Sequence, residues 1–146
     1  MMQFNKINNI TGWIVWFIIT MVYVMTMEGS ASNWDCGEFI AAADKLQVVH
    51  PPGAPIFLMV GRIFSFLAPS PEMVPVMMNL FSALASSFTA LFLFWTVTHF
   101  ARKVVMKSDE DYRSKGNIIA VMAAGAVGAL TCGFMDSLWF SAVEAE

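Results

Sequence analysis

The sequence predicts an all-α polytopic membrane protein, with three spans and an outer loop carrying short interfacial helices. Three observations lead there. Of the 146 residues, 58% are hydrophobic and only 13% charged, where a soluble domain carries about 25% charged residues. Mean hydropathy is +0.64. The few basic residues gather in one short segment between two long apolar runs. This composition argues against a water-soluble enzyme and a disordered tail. A net charge of −3 leaves no basic footprint for nucleic acid. Cys36 and Cys132 form neither a CxxC pair nor a disulfide framework.

The first span is expected over residues 10–27. These 18 residues reach about 27 Å as a helix, close to a hydrocarbon core of about 30 Å. Trp13, Trp16 and Tyr23 are expected to anchor its ends at headgroup level. A cleaved signal peptide is the rival reading, with Lys6 as its n-region and Gly29-Ser30-Ala31 as its cleavage site. Trp and Tyr are poor residues for such a core, which favours the span.

The second span, residues 74–100, holds no ionisable side chain before His99. It exceeds the bilayer core and must tilt or project. The third, residues 118–135, is rich in small residues. Ala124/Gly128 and Gly125/Ala129 have the small-xxx-small spacing that lets helix backbones approach closely in lipid. Between the first two spans lies a shorter run, residues 54–68, bounded by prolines and interrupted by Arg62. It is expected to lie at the interface or re-enter rather than cross.

Charge assigns the sides. Residues 101–117 contain Arg102, Lys103, Lys107, Arg113 and Lys115, five of the eight basic residues, and the positive-inside rule puts this loop in the cytoplasm. With the N-terminus also inside, two crossings separate them. Residues 28–73 then form one outer loop, and the third span returns Asp136 to the same outer face.

The outer loop holds the candidate chemistry. Ser32 or Asn33 can cap a short helix over 35–46, on which Asp35 and Glu38, three apart, share a face. Gly37 there would allow close approach of a ligand or backbone. The two carboxylates are either dipole-favoured helix-start charges or a general base beside a membrane-borne substrate. Partial desolvation at the lipid boundary would raise their basicity. They could contribute to a divalent-cation site, but two carboxylates alone do not make one. His50-Pro51-Pro52-Gly53-Ala54-Pro55 is a rigid elbow that re-aims the chain into the 54–68 run.

Asn33-Trp34-Asp35-Cys36-Gly37-Glu38-Phe39, followed by His50-Pro51-Pro52-Gly53-Ala54-Pro55, resembles the bacterial membrane family known as domain of unknown function 2723. That family is related to protein O-mannosyltransferases and other glycosyltransferases of the GT-C type. The closing stretch from Met135 to Glu146 resembles the same family. The resemblance implies a GT-C-like bundle in a bacterial inner membrane. Such an enzyme moves a sugar from a polyprenyl-phosphate carrier to a protein or glycan acceptor hydroxyl at the outer face. It implies Asp35 as general base, Glu38 as its assistant (here separated from it by Cys36 and Gly37), and His50 at the carrier phosphate. Asp136 resembles the acid of a second outer loop, and Arg62 could meet a phosphate or snorkel to headgroups. Metal dependence stays open. Related enzymes have more spans, so the chain reads as an N-terminal portion, inactive without the C-terminal part. The alternative is a non-catalytic membrane subunit or a transporter segment. A transporter is expected to show intramembrane charge or broken helices. No nucleotide-binding fingerprint is present.

Overall fold

Apolar runs of this length satisfy their backbone in lipid only as helices, and the computed structural model, described over residues 2–32, 35–51 and 53–145, is built of helices joined by turns, with no strand among these residues. The order is α1 (Met2–Thr26), α2 (Cys36–Lys45), α3 (Pro55–Ser65), a single 3-10 turn (Pro71–Met73), α4 (Val74–Val105), α5 (Lys115–Gly133) and α6 (Asp136–Val143). Three of these helical stretches are long and apolar enough to cross a membrane: Gln3–Thr26, Pro71–Val105 and Lys115–Gly133. The chain is a membrane protein.

The boundaries differ from expectation in ways that packing explains. α1 begins eight residues before Ile10. Its polar first turns are held by Phe4, which is buried and meets the ring of Tyr112 edge-on at 5.8 Å. The early start moves Trp13 and Trp16 to the middle of the helix. Trp13 packs edge-on against Trp95 at 5.9 Å instead of marking an end. Tyr23, expected at headgroups, is 0% exposed. α4 runs on through Arg102 and Lys103, where basic side chains suit the negative end of the helix dipole. The basic loop between helices is therefore shorter than 101–117. α5 starts at Lys115, with the Ser114 hydroxyl accepting from the Asn117 amide at 3.5 Å.

The molecule comprises two units. One contains residues 2–21 and 87–135. In it, small residues set the helix spacing. A methyl group on Gly12 would stand 2.7 Å from the Trp95 ring nitrogen. One on Gly125 would stand 2.5 Å from Thr98 Cγ2 and 3.0 Å from Phe94. Ala129 is wholly buried, and Gly133 faces Ile19. Of the two expected small-residue pairs, Gly125/Ala129 forms the buried contact. Ala124 is exposed. The stripe extends one step further, to Gly133.

The other unit contains residues 22–86 and 136–145. Its core gathers Cys36, Ile40, Ala43, Val49, Leu58 and Met78. Gly61 lets α3 approach Ala43 and Met78 closely. The segment after α1 is tied down by Asn79, whose amide donates to the carbonyls of Glu28 (2.8 Å) and Ser30 (3.2 Å). α6 joins the same unit: the Glu28 amide donates to the Val143 carbonyl at 3.0 Å, and the Trp139 indole donates to the Thr26 hydroxyl at 3.1 Å.

Candidate functional site

α2 starts one residue later than expected, and Asp35 itself occupies the N-cap without a side-chain capping bond. Ser32, expected as a cap, donates its hydroxyl to Glu144 instead. Asn33, the other expected cap, lies outside the described residues. The helix ends where Leu46 adopts a left-handed conformation (φ 51°), with the Gln47 amide donating back to the Ala42 carbonyl at 2.8 Å. This reversal returns the chain along α2, seats Val49 in the core and delivers His50 to Glu38. Beyond it, the Gly53 amide donates to the His50 carbonyl at 2.9 Å, and Gly53 has φ 81°, which favours glycine. Pro55 then opens α3 at a first-turn position, where its missing amide hydrogen is not needed.

The result is a three-residue cluster. The His50 amide donates to Glu38 Oε1 at 2.8 Å, and His50 Nδ1 lies 3.0 Å from Glu38 Oε2. His50 Nε2 lies 3.8 Å from Asp35 Oδ2. All three side chains are about half exposed. The ring of Phe39 supports His50 from the side, edge-on at 6.1 Å, and is itself backed by Phe57. Nothing stands within 4 Å of a methyl group built on Gly37. The close approach expected there is not made among the described residues.

The electrostatics correct one expectation. Glu38 is not made more basic by desolvation. The hydrogen bonds from the His50 ring and amide hold its carboxyl below the usual range. His50 is shifted up, first by its hydrogen bond to Glu38, then by the charges of Glu38 and Asp35. The pair's contribution through His50 is whole below the ordinary imidazole pKa and is lost as pH rises through the raised value. Its contribution through Glu38 is present above the ordinary carboxyl pKa and is lost as pH falls through the lowered one. The charged pair is thus intact between the lowered Glu38 value and the raised His50 value. Titrating the His50 ring by NMR is expected to give a midpoint above that of an exposed histidine. Glu38→Gln should return it most of the way, and an unchanged midpoint in that variant would contradict the geometry.

One ligand atom from each of Asp35, Glu38 and His50 lies within 4.8 Å of the others. Two carboxylates and an imidazole form a mixed oxygen–nitrogen set that could hold a divalent cation. With its Nδ1 proton directed at Glu38, His50 would present Nε2 beside Asp35.

The structure does not bring the other expected residues to this cluster. Arg62 pairs with Asp44 at 2.9 Å, also donates to the Asp44 carbonyl, and lies 4.1 Å over the Phe66 ring. Its guanidinium ties α3 to the end of α2. The Asp44 carboxyl is held below its usual range, chiefly by Lys45, with Arg62 adding to it. Asp136 is exposed and opens α6. Sequence reasoning missed Glu144, which is 5% exposed and bonded to Ser32. Its only local signal is an acid set between Val143 and Ala145 in an apolar stretch.

Residues 35–146 match the family described as protein O-mannosyl-transferase TMEM260 N-terminal domain. The chain belongs to this family. The match starts at Asp35 and takes in Glu38, His50, Arg62 and Asp136. A protein O-mannosyl-transferase tmem260 of Dictyostelium discoideum is 38% identical over 79 residues, covering 53% of this chain and 10% of the relative. The TMEM260 protein O-mannosyl-transferase of Mus musculus is 35% identical over 79 residues, covering 54% and 11%. The chain spans about a tenth of the length of these curated relatives. No solved structure matches it. The relation to protein O-mannosyltransferases expected from the motifs therefore holds. Both relatives are eukaryotic, and they give no support to the expected bacterial inner membrane.

Proposed function

We propose that the natural protein is a membrane glycosyltransferase that transfers a sugar from a polyprenyl-phosphate carrier to an acceptor hydroxyl. The reaction takes place at the membrane face opposite the basic segment between α4 and α5. The observation that supports this most is the convergence of Asp35, Glu38 and His50 in a half-exposed cluster, inside the region shared with an O-mannosyltransferase family.

In this reading Asp35 accepts the proton of the acceptor hydroxyl as its oxygen attacks the anomeric carbon. The bond from that carbon to the carrier phosphate breaks, and the electron pair leaves on the phosphate. His50, oriented by Glu38 and shifted by it toward the protonated form, offers its ring N–H to the departing phosphate. Glu38 is a positioning residue. Arg62 positions α3 through Asp44, and exposed Asp136 is assigned to acceptor recognition. A lipid-linked donor brings its sugar only to the headgroup plane, where a cluster in a membrane-flanked loop can meet it. The family relation and this placement favour a GT-C-type enzyme over a non-catalytic subunit.

The donor class is tested with the natural protein in detergent, offered polyprenyl-phosphate mannose or a nucleotide-linked mannose. Transfer from the lipid-linked donor alone is the expected result. Transfer from the nucleotide sugar without the lipid would refute the reading.

A further inference from the structure

Between α1 and α5 runs a groove of about 580 Å³, within the roughly 300–1,000 Å³ range of ligand sites. It lies wholly within the unit that contains residues 2–21 and 87–135. One wall is the face of α1 that carries Gln3, Ile7 and Thr11, spaced by four. The other is a stripe of α5 that includes Ile118, Ile119 and Met122. Both helices are long and apolar enough to cross a membrane, so in a bilayer these walls stand at the depth of the acyl chains. Ile119 is exposed, while Met122 forms the floor.

One end of the groove differs. Arg113 and Lys115 line it there, and no acidic residue does. Both are exposed, and neither is in a salt bridge among the described residues. Of the three acids in the same segment, Asp111 accepts from the Lys107 and Ser108 amides, the Ser108 hydroxyl and the Asn117 amide group, while Asp109 and Glu110 are exposed and form no salt bridge with either cation among the described residues. Two free cations at the mouth of an apolar channel between membrane helices complement a phosphate that carries a hydrocarbon chain. Arginine's fork can take two phosphate oxygens while lysine supplies a point charge.

We propose that this groove binds an anionic phospholipid, with one acyl chain along Ile7, Ile118 and Ile119 and its phosphate between Arg113 and Lys115. The site is independent of the acid–histidine cluster and does not rest on the glycosyltransferase reading. Basic residues of this segment fall on the side where the positive-inside rule places the cytoplasm, the leaflet that holds anionic lipid.

The test is native mass spectrometry of the full chain in detergent. Phosphatidylglycerol and phosphatidylcholine of equal chain length are added together. Retention of phosphatidylglycerol is expected to exceed that of phosphatidylcholine by roughly tenfold. Arg113→Gln with Lys115→Gln, both exposed positions, should bring the ratio near one with the helical circular dichroism unchanged. Ile119→Trp should lower binding of both lipids by filling the groove. Equal retention of the two lipids by the unmodified chain, or an unchanged ratio in the double variant, would overturn the proposal. Displacement of phosphatidylglycerol by equimolar polyprenyl phosphate would overturn it too, since the groove would then be a carrier site. A photo-crosslinker at position 119 in native membranes should yield a lipid adduct. A protein adduct there would show that another helix fills the groove.

Discussion

Replacing Asp35 with Asn is expected to lower glycosyl transfer by the natural protein about 10²–10⁴-fold, the usual worth of a positioned proton acceptor. The variant removes the proton acceptor and the smallest of the contributions that shift His50 up. Asp35 sits at the N-cap of α2 without a capping bond, and Asn is as good as Asp at such a position. Folding and acceptor KM should therefore stay close to those of the unmodified protein, and the loss should fall on kcat. His50→Gln should lower transfer less, because Gln keeps a hydrogen-bond donor but not the cation. A radiolabelled sugar-transfer assay on equal amounts of folded protein reads both. Full activity in Asp35→Asn would remove Asp35 from the chemistry.

The second large effect concerns stability. Gly125→Val should destabilise the unit built from α1, the later half of α4 and α5. The first added carbon would meet Thr98 at 2.5 Å and Phe94 at 3.0 Å, and both side chains are fully buried. They cannot swing into free space, so the helices must separate. Overpacking of this kind costs about 1–3 kcal/mol, a five- to 150-fold loss in the folded ratio. Ala124→Val is the control: same helix, neighbouring residue, exposed side chain, with no measurable effect expected. Thermal unfolding of the purified protein in detergent separates the two. Equal midpoints for both variants would show that the small-residue stripe does not set the helix spacing.

The long helices were legible because length and hydropathy in lipid leave the backbone one solution. What escaped the sequence depends on partners distant along the chain. The start of α1 is too polar to read as part of a span, and its Phe4 is buried with the ring of Tyr112, far along the chain, edge-on to it. Tyr23 reads as an interfacial anchor until its neighbours are known to bury it. In the site, the three-residue spacing of Asp35 and Glu38 placed both acids on one face. That His50 closes on them depends on the left-handed turn at Leu46, a conformation a leucine does not advertise. Arg62 looked available to phosphate because its partner, Asp44, sits 18 positions earlier. Glu144 went unnoticed for the same reason, since its partner Ser32 sits 112 positions away.

Transfer is proposed to occur at the acid–histidine cluster, on the face opposite the basic segment. It is tested most directly in sealed vesicles of the natural protein, with the acceptor supplied outside only. Orientation is assigned by an impermeant thiol reagent against Val48→Cys, whose position is 89% exposed and two residues from His50, and against Lys107→Cys. Product is expected only in vesicles where position 48 labels and position 107 is protected. Product in vesicles where position 107 labels and position 48 does not would contradict the account.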